Sequence, residues 1–165
     1  MEAVETQVLV KAPQEVVWWA WTRAERITQW FAPAATIDPR PGGAFELFFN
    51  PADRSRDCTA GCTFTAVEPM TRLAFTWKGP DLFAAVMNHP DRLTAVTVTM
   101  EPVEGGTRVT VVHAGWGEGD GWAEARRWHA AAWRQVLDSL KGALESGRGD
   151  LCCAPDEDQN QATVE

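Results

Sequence analysis

The stretch DGWAEARRWHAAAWRQVLDSLKGALES, residues 120–146, decides the fold. Wound at 3.6 residues per turn, it places Trp122, His129, Trp133, Val136, Leu140 and Leu144 on one stripe. Glu124, Arg127, Arg134, Asp138 and Glu145 fall on the other side. Asp120 stands where an N-cap belongs, and Gly147 where a helix stops. At 1.5 Å per residue such a helix is ~40 Å long. A one-faced helix of that length needs a broad apolar surface to lie across.

The preceding residues supply one. Val4, Val8 and Val10 alternate along a first strand, Glu2 to Val10. Pro13 opens a short helix through Trp21, and a second runs from Ala24 to about Phe31. Strands are then expected at Ala35–Asp38, Ala44–Asn50, Cys58–Val67, Leu73–Lys78, Leu93–Glu101 and Thr107–His113. Their short turns predict an antiparallel meander, giving an α+β fold of about seven strands with two short helices after the first. Between Gly79 and Asp91 a longer connection holds six consecutive apolar residues. It reads either as packing over one end of the sheet or as a flap over a pocket.

The chain has 165 residues, one domain's worth, expected over 1–147. Residues 148–165 read as an acidic, disordered tail. The net charge is −8, but five of the acids lie in the last sixteen residues, leaving the body at about −3. No clustered basic surface is present, so neither nucleic acid nor a membrane is an expected partner. No signal peptide or spanning run occurs, and a cytoplasmic location is the expectation. Cys58 and Cys62 are four residues apart along an expected strand, ~13 Å, too far for a disulfide. Cys152 and Cys153 are adjacent, a poor start for a tetrahedral site. No metal and no cofactor is expected.

Catalytic motifs are missing: no nucleophile elbow, zinc-protease helix, P-loop or dinucleotide fingerprint occurs. His113 shares strand parity with Val109 and Val111, and His129 lies on the helix stripe. If that strand face and that stripe meet, both imidazoles approach the space between sheet and helix where a ligand would sit, and they are the candidate catalytic groups. Trp30, Phe45, Phe49, Phe75, Trp77, His113, Trp122, His129 and Trp133 are the candidates to line a ligand cavity if one lies on that apolar face, and periodicity does not separate lining from filling. Arg126, at the stripe's edge, is the candidate for an acidic ligand group.

Several segments carry a family resemblance. These are Ala12-Pro13-Gln14-Glu15-Val16-Val17-Trp18, Trp30-Phe31-Ala32-Pro33, Arg40-Pro41-Gly42-Gly43-Ala44-Phe45, Val67-Glu68-Pro69 with Leu73-Ala74-Phe75-Thr76-Trp77, Gly106-Thr107-Arg108-Val109 and His113-Ala114-Gly115-Trp116. In order and spacing they resemble the START-like, Bet v 1-like (SRPBCC) superfamily. More narrowly, they resemble the activator of heat-shock-protein-90 ATPase homologue family. Where that family has Gly-Trp midway along the last helix, this chain has Ala132-Trp133. The resemblance implies a helix-grip fold, a curved sheet wrapped around the long helix with a cavity between them. Its leading functional implication is non-covalent binding of a small hydrophobic or aromatic ligand. Two alternatives stay open: a cyclase- or hydrolase-type enzyme, and a chaperone-linked or homodimeric protein–protein module.

Overall fold

The computed structural model describes residues 1–147. The expectations for the tail and for Cys152 and Cys153 lie outside the described residues. Among the described residues seven strands and three helices follow the expected order, and a fourth helix of one turn lies in the long connection. Strand β1 is Val4–Val10, and the short helices are α1, Gln14–Thr22, and α2, Ala24–Ile27. Then come β2 (Ala34–Ile37), β3 (Phe45–Phe48), β4 (Phe64–Glu68) and β5 (Arg72–Trp77). The long connection contains a one-turn helix α3, Ala84–Met87, flanked by 3-10 turns. Strands β6 (Thr94–Val103) and β7 (Gly106–Ala114) lead to α4, Asp120–Ser146.

The strands form two ladders rather than one. Five pair antiparallel in the order β1-β7-β6-β5-β4, while β2 and β3 pair separately. The segment between β3 and β4 joins the two through single bridges, Ala44 to Thr63 and Phe48 to Cys58. This corrects the expected strand over Cys58–Val67, which becomes regular only from Phe64 onward. Gly61 takes φ +88° and the chain turns there, so Cys58 and Cys62 do not lie along one extended run. Both are free thiols.

Three further boundaries differ. α2 ends at Ile27, with Thr28–Phe31 continuing in hydrogen-bonded turns that still bury Trp30 and Phe31. Asp120 is the first residue of α4 rather than its cap. Gly119 takes the capping position at φ +112°, and no side chain caps the helix. The Gly79–Asp91 connection packs down: Phe83 and Met87 are buried while Leu82 is 76% exposed.

Register explains why the sheet has one apolar face. Across the ladder Val4 pairs with His113, His113 with Val96, Val96 with Phe75, and Phe75 with Phe64. All five are buried. Leu73, Val98 and Val111 form the next such row. Because side chains alternate across a strand, these rows share one side of the sheet. α4 lies on that side against β1 and buries Ala125, His129, Trp133, Val136, Leu137 and Leu140. The stripe is thus confirmed at its centre, while Trp122 and Leu144 near its ends are only half-buried.

Candidate functional site

Two imidazoles stand between sheet and helix. His113, on β7, is 0% exposed, and His129, on α4, is 1% exposed. Their ring centroids are 5.2 Å apart and the planes are perpendicular. Strand parity and the helix stripe do meet there, as the sequence suggested.

Their hydrogen bonds fix their protonation. His129 Nδ1 donates to the carbonyl of Ala125 (2.8 Å), since a carbonyl only accepts. Its Nε2 accepts the indole N–H of Trp77 at 3.2 Å. In His113 the roles reverse: Nδ1 accepts the Trp133 indole N–H at 3.0 Å. The Nε2–H then donates to Thr94 Oγ1 at 2.8 Å. Trp116 closes the group by donating its indole N–H to the His113 carbonyl at 2.8 Å. Every ring nitrogen has a partner, and both rings are neutral.

Burial drives their titration down, because the charged form loses its hydration. For His129 desolvation lowers the pKa to about 4, against a small opposing pull from the Ala125 carbonyl. His113 is lowered well below the usual imidazole range, by desolvation first and by the neighbouring His129 second.

Beside this pair lies a half-open cavity of about 240 Å³. Of the expected ligand residues, Phe49, Trp77, His129 and Trp133 line it. The others go elsewhere. Phe45 and Phe75 stack on each other at 3.7 Å and fill the core between the two ladders. Trp30 is locked into the α1–α2 layer by its indole bond to the Ala20 carbonyl. His113 sits one layer deeper, capped by Trp133. Trp122 packs edge-on against Trp116 outside the cavity. Arg126 does not wait for an acid: it donates to the carbonyls of Glu2 and Ala3, tying α4 to the N-terminus.

Sequence reasoning missed several wall residues, among them Phe31, Trp128, Ala132 and Val136. On α4 the signal was present. Residues 128, 132 and 136 form an i, i+4 row beside the 129–133 row, and the cavity lies along both. Phe31 joins from the turns after α2, stacked near Trp77 at 6.1 Å.

The rim comes from two loops held together. Asp57 Oδ1 accepts the Asp81 N–H (2.9 Å) and Asp81 Oδ1 accepts the Asp57 N–H (3.1 Å). Asn88 fixes the second loop by bonding both the N–H and the carbonyl of Gly79, at 2.8 and 2.9 Å. The connection is therefore a packed wall at Gly79 and Pro80, with an exposed tip at Leu82.

Residues 11–145 match the family model described as Activator of Hsp90 ATPase homolog 1-like protein. Solved structures share the architecture. The protein MLL2253 from Mesorhizobium loti is 22% identical, with 87% of this chain and 96% of that one aligned at a TM-score of 0.69. The Aha1 dimer from Colwellia psychrerythraea is 23% identical over 90% of this chain and 100% of its own, at 0.67. DynU16, a putative protein in the dynemicin biosynthetic locus, is 25% identical over 92% of this chain but 51% of its own, at 0.68. No curated protein matches the sequence closely. Among the described residues, no helix is long and apolar enough to cross a membrane.

Proposed function

This chain belongs to the Activator of Hsp90 ATPase homolog 1-like family, and from that premise we propose that it binds a small apolar ligand non-covalently between its sheet and its long helix. The observation that carries the reading is the cavity itself. Five aromatic rings, from Phe31, Phe49, Trp77, Trp128 and Trp133, surround about 240 Å³ that the core does not fill. Protein interiors are otherwise close-packed, so a void of this size facing solvent is a feature that needs an occupant. A cavity of ~150 Å³ already holds benzene. Two free thiols, Cys58 and Cys62, accord with a reducing, cytoplasmic setting.

A histidine-based reaction is the weaker reading. A general base needs a free lone pair and a pKa near the working pH. His129 and His113 have each committed the acceptor nitrogen to an indole, and burial depresses both.

Native mass spectrometry of the purified protein tests the proposal. A retained small molecule in the parent, absent from Ala132→Phe, is the expected result. Ala132 lines the cavity, so the larger ring occupies it. If the parent retains nothing and takes up no added aromatic probe such as tert-butylbenzene, the reading fails.

A further inference from the structure

The polar and apolar walls of the cavity differ in depth. Trp77, His129 and Trp133 are 5%, 1% and 2% exposed and form its inner end. Every polar side-chain atom of these three is engaged. The indole N–H groups of Trp77 and Trp133 are donated to His129 and His113, and His129 Nδ1 donates to the Ala125 carbonyl. Phe31 and Val136, also buried, bring only carbon. A polar group pushed to this end would meet no partner, at the cost of an unsatisfied buried group.

The rim is different. Asp57 and Lys78 both line the cavity, and both are only half-buried. Asp57 Oδ1 accepts the Asp81 N–H, and Lys78 gives its ammonium to the Ala60 carbonyl at 2.7 Å. Among the described residues neither side chain enters an ion pair. The rim therefore offers an acceptor and a donor, one charge of each sign. A carboxylate on a ligand would pair with Lys78 but face Asp57, and a cation would do the reverse. An uncharged group that both donates and accepts suits the two together.

We propose that the ligand is an amphipathic aromatic bound in one direction. Its apolar body points inward to Trp77 and Trp133, and one neutral donor–acceptor group, such as a carboxamide, sits at the rim between Asp57 and Lys78. A bare hydrocarbon dehydrates those two charges without replacing their water. The inference rests on the ligand-binding reading above and narrows it to one class.

The test is calorimetric titration of the full chain with four probes that share one body: tert-butylbenzene and its 4-carboxamide, 4-carboxylate and 4-amidinium derivatives. The carboxamide should bind tightest, by roughly tenfold over tert-butylbenzene, and ahead of both charged probes. Two variants then read the rim. Asp57→Asn removes one charge, keeps an oxygen for the Asp81 N–H and suits the residue's φ of +47°. It should move the carboxylate-to-amidinium preference several-fold toward the carboxylate. Lys78→Met removes the other charge and should move that preference several-fold toward the amidinium. Opposite shifts cannot arise from a shared loss of folding. A carboxamide no tighter than tert-butylbenzene, or than either charged probe, overturns the head-group inference alone, and the apolar-ligand reading survives. A charge preference that either variant leaves unmoved overturns the placement of the head at Asp57 and Lys78. Binding of none of the four overturns both readings.

Discussion

Trp133 donates its indole N–H to His113 Nδ1 at 3.0 Å, and both residues are buried. That bond joins the middle of α4 to the buried row of the sheet that holds His113, so the helix is held by direction as well as by area. Trp133 also lies 5.3 Å from Trp77 and 5.8 Å from Phe31, centroid to centroid. Packing and polar satisfaction can be separated at this one side chain.

Trp133→Phe keeps most of the ring but leaves His113 Nδ1 without a donor. It should cost about 1–3 kcal/mol, the penalty for an orphaned buried acceptor. Trp133→Ala adds a void and should cost ~3–5 kcal/mol. Arg134→Ala, exposed one position along, should change stability by less than about 0.5 kcal/mol. Urea denaturation of the three variants ranks them, and equal losses would contradict the helical phase.

The buried imidazoles make the fold acid-sensitive before its carboxylates titrate. In the native state His129 has a pKa of about 4, whereas in the unfolded chain it titrates near 6.5. Between those values the unfolded state binds the extra proton, so stability rises with pH. It is complete above roughly pH 6.5 and is lost as pH falls toward 4, by on the order of 3 kcal/mol for this residue alone. His113 acts in the same direction. Denaturant midpoints measured from pH 7.5 to 4.5 should fall steadily. A flat profile down to pH 5 would show that these rings are not held neutral.

Two adjacent glycines, both of positive φ (+88° at Gly105, +156° at Gly106), differ in the space before them. At Gly106, which begins β7, an added Cβ would sit 2.1 Å from the Val10 carbonyl oxygen, a contact with backbone that cannot yield locally. Gly106→Ala should therefore pry β1 from β7 and cost several kcal/mol. Gly105 has φ +88° with nothing within 4 Å of the same position. Its alanine variant meets only the left-handed penalty, ~1–2 kcal/mol. Thermal melts of both variants check the order. Similar losses would mean that β1 tolerates displacement at Val10.

Filling the cavity should silence binding without unfolding the protein. Ala132 is half-buried on the cavity face of α4 and has open space in front of it. Ala132→Phe should hold stability within about 1 kcal/mol of the parent, or raise it, as a void is filled. The titration signal of tert-butylbenzene should be lost, and retained binding would place the ligand elsewhere.

The sequence alone determined the element order, the antiparallel pairing and the buried stripe of α4. Those follow from periods of two and 3.6, which each segment writes locally. It also brought His113 and His129 into one layer, because parity and helical phase each point a side chain inward. It did not tell Phe49 and Trp77, which face a void, from Phe45 and Phe75, which fill one. All four are apolar residues that the alternating pattern turns inward, Phe49 just past the end of β3, and only the distance between facing layers separates lining from filling. Arg126 shows the same limit, since its two carbonyl partners on Glu2 and Ala3 lie more than a hundred residues away. The neutrality of the two histidines was likewise a tertiary outcome. It depends on indoles donated from Trp77 and Trp133, on a strand and a helix that meet only when the sheet closes over α4.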